Sequence, residues 1–321
     1  MGGNALTQVK TVRKNVAEYK KLTQEVLTKL REYCVCIDLI PSYNNKDDFG
    51  DADILVVLKD SVKDLRQLLL DLFAPTQIVK NDKCYSFDFH QFQIDIICST
   101  EELYKASYAY YSYNDLGNLI GRIAYNHNLK YGHKGLYLRL KGEEKSEVLV
   151  SRDTSKILEF LGFDPLIFFK GFETKEDIFN YVINSYYFNK EYFSLENLNH
   201  INRTRNRKRK TYMDFLKYIS ENYNSIESKQ REIKTLDNII AFFPESNIIN
   251  DIAEIERQQQ DKKYIASKFN GSIVSTITNL KEKQLGNFII QFKNSKKDFN
   301  DWVRNSNVEV IEEEIKNFQN E

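Results

Sequence analysis

The sequence predicts an α+β protein whose first half mixes helices with short strands and whose second half is helical. Three observations predict it. Strand-like apolar runs, such as Val35–Ile40, Ile54–Leu58 and Ile94–Cys98, all lie before Pro165. Beyond it the pattern turns helical and rich in Asn, Lys and Glu, with no convincing strand over 174–321. Hydrophobic residues at 41% and aromatics at 13% of 321 residues are enough to bury sizeable cores and exclude wholesale disorder. The boundary is placed near 165–175, dividing the chain into a domain over 1–165 and a helical domain over 170–321.

The elements follow from spacing. Over 5–33, Leu6, Val9, Val12, Val16, Tyr19, Leu22, Val26 and Leu30 recur at helical steps. A strand over 35–40 stops at Pro41, and the polar stretch 42–50 reads as a loop. A second strand opens with two acids, Asp51-Ala52-Asp53, and runs to Leu58. A helix over 62–73 has Ser61 as a candidate N-cap. Strands over 77–80, 85–90 and 92–98 follow, with a turn at 81–83 between the first two. A helix over 116–128 leads to a hairpin, 135–141 and 147–151, turning at Gly142-Glu143-Glu144. Asp153 or Thr154 can cap a helix through Leu161.

Composition excludes several classes. Lys+Arg and Asp+Glu both number 46, so nucleic-acid binding would have to come from local patches. No apolar run approaches the ~20 residues of a membrane span. Met1-Gly2-Gly3-Asn4 leads into Lys10, Arg13 and Lys14 without the apolar core of a secretory signal. Cys34, Cys36, Cys84 and Cys98 form no CxxC pair and read as reduced core thiols, which suits a cytoplasmic protein. The low Gly and Pro counts beside many Asn, Lys, Tyr and Ile suggest an AT-rich genome, as of a virus, phage or low-GC bacterium; for a virus the compartment is the host cytoplasm.

The most informative residues are acids. Side chains alternate along a strand, so Asp51 and Asp53 share a face. Asp95 is embedded in the apolar run Gln93-Ile94-Asp95-Ile96-Ile97. A buried carboxylate is costly unless it is paired or binds a cation. Three such acids make a hard-oxygen cluster suited to one or two Mg²⁺ ions, with Mn²⁺ as a substitute. Two such ions can activate an attacking hydroxyl and stabilise a departing pyrophosphate. Just ahead of the acids, Pro41-Ser42 opens a turn whose hydroxyl and backbone N–H groups can hold phosphate oxygens, with Lys46 in the same loop.

This arrangement resembles the nucleotidyltransferase superfamily that includes DNA polymerase beta, and most closely the palm of the family X polymerases. The residues that carry the resemblance are Pro41-Ser42, then Gly50-Asp51-Ala52-Asp53, then Asp95. Further on, Tyr110-Tyr111-Ser112-Tyr113 stands where that family has an element near the sugar and base of the incoming nucleotide. Asn118 and Arg122 match its following Asn and Arg, and the stretch to Leu138 and the helix 155–163 follow its palm. The likeness covers roughly residues 30–165. It implies a polymerase-beta-type palm with a mixed or antiparallel sheet. Asp51, Asp53 and Asp95 would be the catalytic, metal-binding acids. Ser42, Lys46, Gly50, Tyr110, Tyr111, Asn118 and Arg122 would be the nucleotide-binding positions. The chain departs from the pattern at Pro41, which replaces a Gly, and at Asn44 and Asn45, which replace two arginines near the triphosphate. Ser112-Tyr113 replaces Thr-Gly.

Two further segments carry possible binding roles. Arg203, Arg205, Arg207, Lys208, Arg209 and Lys210 place six positive charges in eight residues. On one helix, 203, 207 and 210 would share a face. The run reads either as a solvated face or as a contact to the phosphate backbone of nucleic acid. It could also replace the charges missing at Asn44 and Asn45. The five tyrosines of 104–113 read either as packing at a cleft or as a base-stacking platform. His90, His127, His133 and His200 lack metal-ligand spacing, and the acidic stretch 301–321 reads as a solvated terminal helix. The expected chemistry is transfer of a nucleotide from an NTP or dNTP to a DNA or RNA 3′-hydroxyl, releasing pyrophosphate. A protein or small-molecule acceptor, and a degenerate palm that only binds nucleic acid, stand as alternatives.

Overall fold

The computed structural model describes residues 5–140, 146–223 and 236–320. The expected turn at Gly142-Glu143-Glu144 lies outside them. The chain divides into two compact units, 1–246 and 247–321. The change of character near 165–175 falls within the first.

The first unit opens with β1 (Lys14–Asn15) and α1 (Val16–Leu30). The helix starts at Val16 rather than near residue 5 because Asn15 and Glu18 form a reciprocal capping box. The preceding segment spends its backbone elsewhere: Ala5 N–H donates to Gln93 Oε1 and Val12 N–H to the Gln91 carbonyl. Next come β2 (Cys34–Leu39), β3 (Asp48–Phe49), which pairs with β1, and β4 (Asp51–Leu58). Then α2 (Leu65–Phe73) is capped by Asp64, not Ser61, whose place is taken by a turn. The strands β5 (Ile78–Asn81), β6 (Cys84–Phe89) and β7 (Phe92–Cys98) complete a five-stranded sheet in the order β2-β4-β7-β6-β5. Only β4 and β7 run parallel; every other neighbouring pair is antiparallel.

The alternation of β4 assigns its two faces. Ala52, Ile54 and Val56 join Tyr19, Leu22, Val26, Leu65 and Leu69, so α1 and α2 cover that side. Leu55 and Ile97 face the other way and pack with Tyr104, Tyr108 and Tyr111 of α3 (Glu101–Tyr111). Coverage on both faces explains why Ile54–Leu58 is continuously apolar. Asp51, Asp53 and Asp95 share parity with Leu55 and Ile97 and so lie on the α3 side, at the end where the sheet is not roofed.

After α3 come α4 (Leu116–Asn126), β8 (Leu129–Gly132), β9 (Gly135–Leu140) and β10 (Ser146–Ser151). These strands form a second, antiparallel sheet, with α4 packed on β8. The helices α5 (Thr154–Phe160), α6 (Pro165–Lys170), α7 (Lys175–Ile183), α8 (His200–Arg207), α9 (Lys210–Asn222) and α10 (Leu236–Phe242) finish the unit. The expected helix 116–128 thus stops at Asn126, and a short strand that spacing had not marked takes over.

At Gly117 a β-carbon would lie 2.1 Å from the Tyr110 carbonyl oxygen, so glycine permits the close α3–α4 approach. Gly117→Ala is expected to cost about 1–3 kcal/mol through this backbone collision. Urea unfolding would measure it, and a change below about 0.5 kcal/mol would mean that the junction yields without strain.

The second unit comprises α11 (Ile248–Lys268), α12 (Gly271–Thr278), α13 (Glu282–Ser295), α14 (Phe299–Asn305) and α15 (Val308–Asn320). Its core gathers Phe269, Val274, Phe288, Phe292, Val303, Ile311 and Ile315, with Trp302 and Phe318 against it. The acidic last helix is therefore not wholly solvated, because Ile311 and Ile315 turn one face into this core. Among the described residues no helix is long and apolar enough to cross a membrane.

Candidate active site

A cleft of about 890 Å³ in the first unit collects most of the residues singled out from the sequence. Its walls include Ser42, Lys46, Asp51, Asp53, Tyr110, Tyr111, Asn118 and Arg122. Arg205 and Arg209 of the basic run line it as well. Asp95 is buried beside the wall, and Gly50 does not line the cleft. A β-carbon at Gly50 would meet the Arg13 guanidinium at 2.8 Å, so this glycine makes room for Arg13.

The β4–β7 ladder places the acids. Asp53 and Asp95 are direct partners across it, and Asp51 is opposite Gln93. Gln93 donates from Nε2 to both Asp95 oxygens, at 2.9 and 3.1 Å. Asp53 keeps partial exposure, yet its Oδ1 is covered and has no hydrogen-bond partner. Burial first, then the charges of Asp51 and Asp95, push the Asp53 carboxyl up to about 8. Burial raises Asp95 to about 6, against hydrogen bonds from Ser86 and Gln93 that favour its charged form. Among the described residues no three His, Cys, Asp or Glu side chains converge as a ready-made cation cage. The carboxylates stand as a neighbouring pair with a third acid two residues along β4.

Lys46 reaches this group from the loop. Its ammonium lies 4.6 Å above the Phe49 ring. Burial lowers its pKa, and the negative charges of Asp51, Asp53 and Asp48 oppose that shift. Ser42 Oγ donates to Asn114 Oδ1 at 2.8 Å, which ties the loop to the turn between α3 and α4. Asn44 and Asn45, which stand where the resembled family carries arginines, are held away by the Phe172 and Glu173 carbonyls.

No family model matches the chain, and no curated protein does.

The aromatic wall is layered. Tyr110 packs edge-on against both Tyr111 and Tyr131, at 5.4 and 5.5 Å. Tyr131 Oη and Asn118 Nδ2, like Asp53 Oδ1, are buried without a hydrogen-bond partner and belong to residues lining this cleft. Buried polar atoms are nearly always satisfied, so three orphans in one cleft mark a place made for a polar ligand. Arg122 is more structural than expected: its guanidinium donates to the Tyr192 carbonyl at 3.0 and 3.1 Å.

The basic run does not form one helical face. It straddles the α8–α9 junction, where Asn206 is buried and Arg209 is extended. Arg203 donates to the carbonyls of Leu195, Glu196 and Leu198. Arg209 pairs with Asp115. Arg207, Lys208 and Lys210 are exposed. Sequence reasoning missed Gln93, Asn114, Asp115 and Tyr131. Gln93 alone had a usable signal, since it shares the strand parity of Asp95 two residues on.

Proposed function

We propose that the chain is a divalent-metal-dependent nucleotidyltransferase that joins a nucleotide from an NTP or dNTP to a hydroxyl acceptor, with a nucleic-acid 3′ end as the favoured acceptor. The observation that carries this reading is the Asp53–Asp95 pair, with Asp51 on the same face, at one cleft beside Lys46. Two carboxyls raised by burial and by neighbouring carboxylates, one with an orphaned oxygen, are a donor set that a hard cation relieves. Asp51, Asp53 and Asp95 would hold Mg²⁺, which would neutralise triphosphate charge and ease ionisation of the attacking hydroxyl. Ser42 and Lys46 would bind the donor's β- and γ-phosphates. Asp95 would accept the hydroxyl proton. Tyr110, Tyr111 and Asn118 would position sugar and base. The α+β fold with a mixed sheet is compatible with a polymerase-beta-type palm.

The test is an extension assay with single-stranded DNA, gapped DNA and RNA, each given Mg²⁺ with dNTPs or NTPs. Extension by the parent chain, lost in Asp95→Asn, is the expected result. Tight Mg-NTP binding without extension of any nucleic acid would move the acceptor to a protein or small molecule. Absence of both binding and extension would overturn the proposal.

A further inference from the structure

We propose that Arg205, presented by the α8–α9 helix pair, binds a phosphate of the acceptor within the cleft. The acceptor is then a phosphate-bearing nucleotide or oligonucleotide end rather than a neutral hydroxyl compound. This rests on the nucleotidyltransferase reading and adds the residue that would recognise the acceptor.

The cleft holds two charged neighbourhoods, one mostly acidic around Lys46 and one mostly basic around Tyr110. Around Lys46 the acting charges are those of Asp51, Arg13, Asp53 and Asp48, which makes this the end where a donor's tail meets the acids. Around Tyr110 they are those of Arg205, Arg209, Asp115 and Lys130. A single nucleoside triphosphate has one charged tail, which Mg²⁺ on the acids and Lys46 would meet at the first. The second is left for another phosphate.

In that second neighbourhood most cations are already engaged. Arg209 pairs with Asp115, and Lys130 pairs with Glu147 at 2.5 Å. Arg122 is committed to the Tyr192 carbonyl. Arg205 lines the cleft and is exposed, and among the described residues no hydrogen bond or ion pair engages its guanidinium. Its guanidinium can therefore offer the two-pronged contact that suits a phosphate. The ring of Tyr110, which lines the same cleft, gives an adjoining base an aromatic surface.

The experiment uses the full chain and its Arg205→Ala and Arg205→Lys variants. Binding of a labelled ten-nucleotide oligonucleotide is measured without donor. Transfer kinetics are measured with that oligonucleotide and with a nucleoside 5′-monophosphate. Arg205→Ala is expected to weaken oligonucleotide binding and raise acceptor KM roughly tenfold or more, the loss of a charge-assisted contact. KM for the Mg-bound donor should stay within about twofold, and Arg205→Lys should recover part of the loss. Lys217→Ala, an exposed change on α9, should alter nothing. A raised KM for the monophosphate identifies a mononucleotide acceptor, and one confined to the oligonucleotide identifies a chain end. Unchanged acceptor binding and KM, or a rise in donor KM alone, would overturn the inference while leaving the transferase reading intact. A parent chain that binds neither nucleotide nor oligonucleotide would overturn both.

Discussion

Asp53→Asn is expected to abolish nucleotide transfer and at the same time to stabilise the metal-free protein at pH 8. Loss of activity should be at least about 10³-fold, since one carboxylate central to charge neutralisation is removed. The stabilisation follows from linkage. Burial and neighbouring charge push the folded carboxyl up to about 8, whereas an unfolded Asp keeps its ordinary value of 3.8. Between these values the native state holds a proton that the unfolded state has lost. Stability conferred by this site is therefore greatest below about pH 4 and falls as pH rises to about 8. Asparagine has no proton to lose, so the variant escapes the decline, by on the order of a few kcal/mol. Added Mg²⁺ should stabilise the parent and not the variant. Thermal unfolding in chelator at pH 5 and pH 8 would check this. A variant less stable than the parent at both pH values would mean that Asp53 serves the fold rather than a ligand.

The acids were legible because strand alternation and the cost of burying charge are local rules. Their pairing across β4 and β7 needed the sheet order, which no local pattern gives. The start of α1 was legible in hindsight, as Asn15-Val16-Ala17-Glu18 carries the capping pattern, but an apolar repeat running back to Leu6 masked it. The tyrosine-rich α3 escaped assignment as a helix because its amphipathic rings blur the distinction between inward and outward faces. The basic run misled for a different reason. Charge density on paper does not show that Asn206 is buried or that Arg203 caps carbonyls, since both depend on how two helices meet.

Phe292→Ala is expected to cost about 3–5 kcal/mol and to unfold the second unit at much lower denaturant. Phe292 is fully buried, stacks parallel to Phe269 at 5.5 Å, and meets Phe299, Trp302 and Phe318 edge-on. Truncation would remove ring burial and these contacts together, leaving a cavity that rigid aromatic neighbours refill poorly. A small unit has little reserve against such a loss. Trp302 is the chain's single tryptophan and belongs to this cluster, so its fluorescence reports on this unit selectively. A urea midpoint for Trp302 that moves by less than the equivalent of about 1 kcal/mol would mean that the cluster repacks around the gap.

The Gln93 side chain joins Ala5 to Asp95. Its carbonyl oxygen accepts from Ala5 N–H, and this fixes which way the amide is turned. Only in that orientation does the NH₂ group face the Asp95 carboxylate; reversed, two oxygens would oppose each other. The stretch ahead of β1 thus works as a directional latch, setting the polarity of a group buried 88 residues away in sequence. Losing that stretch would leave the sheet whole and let the amide turn, so that a distant edit would be felt as a misaimed acid.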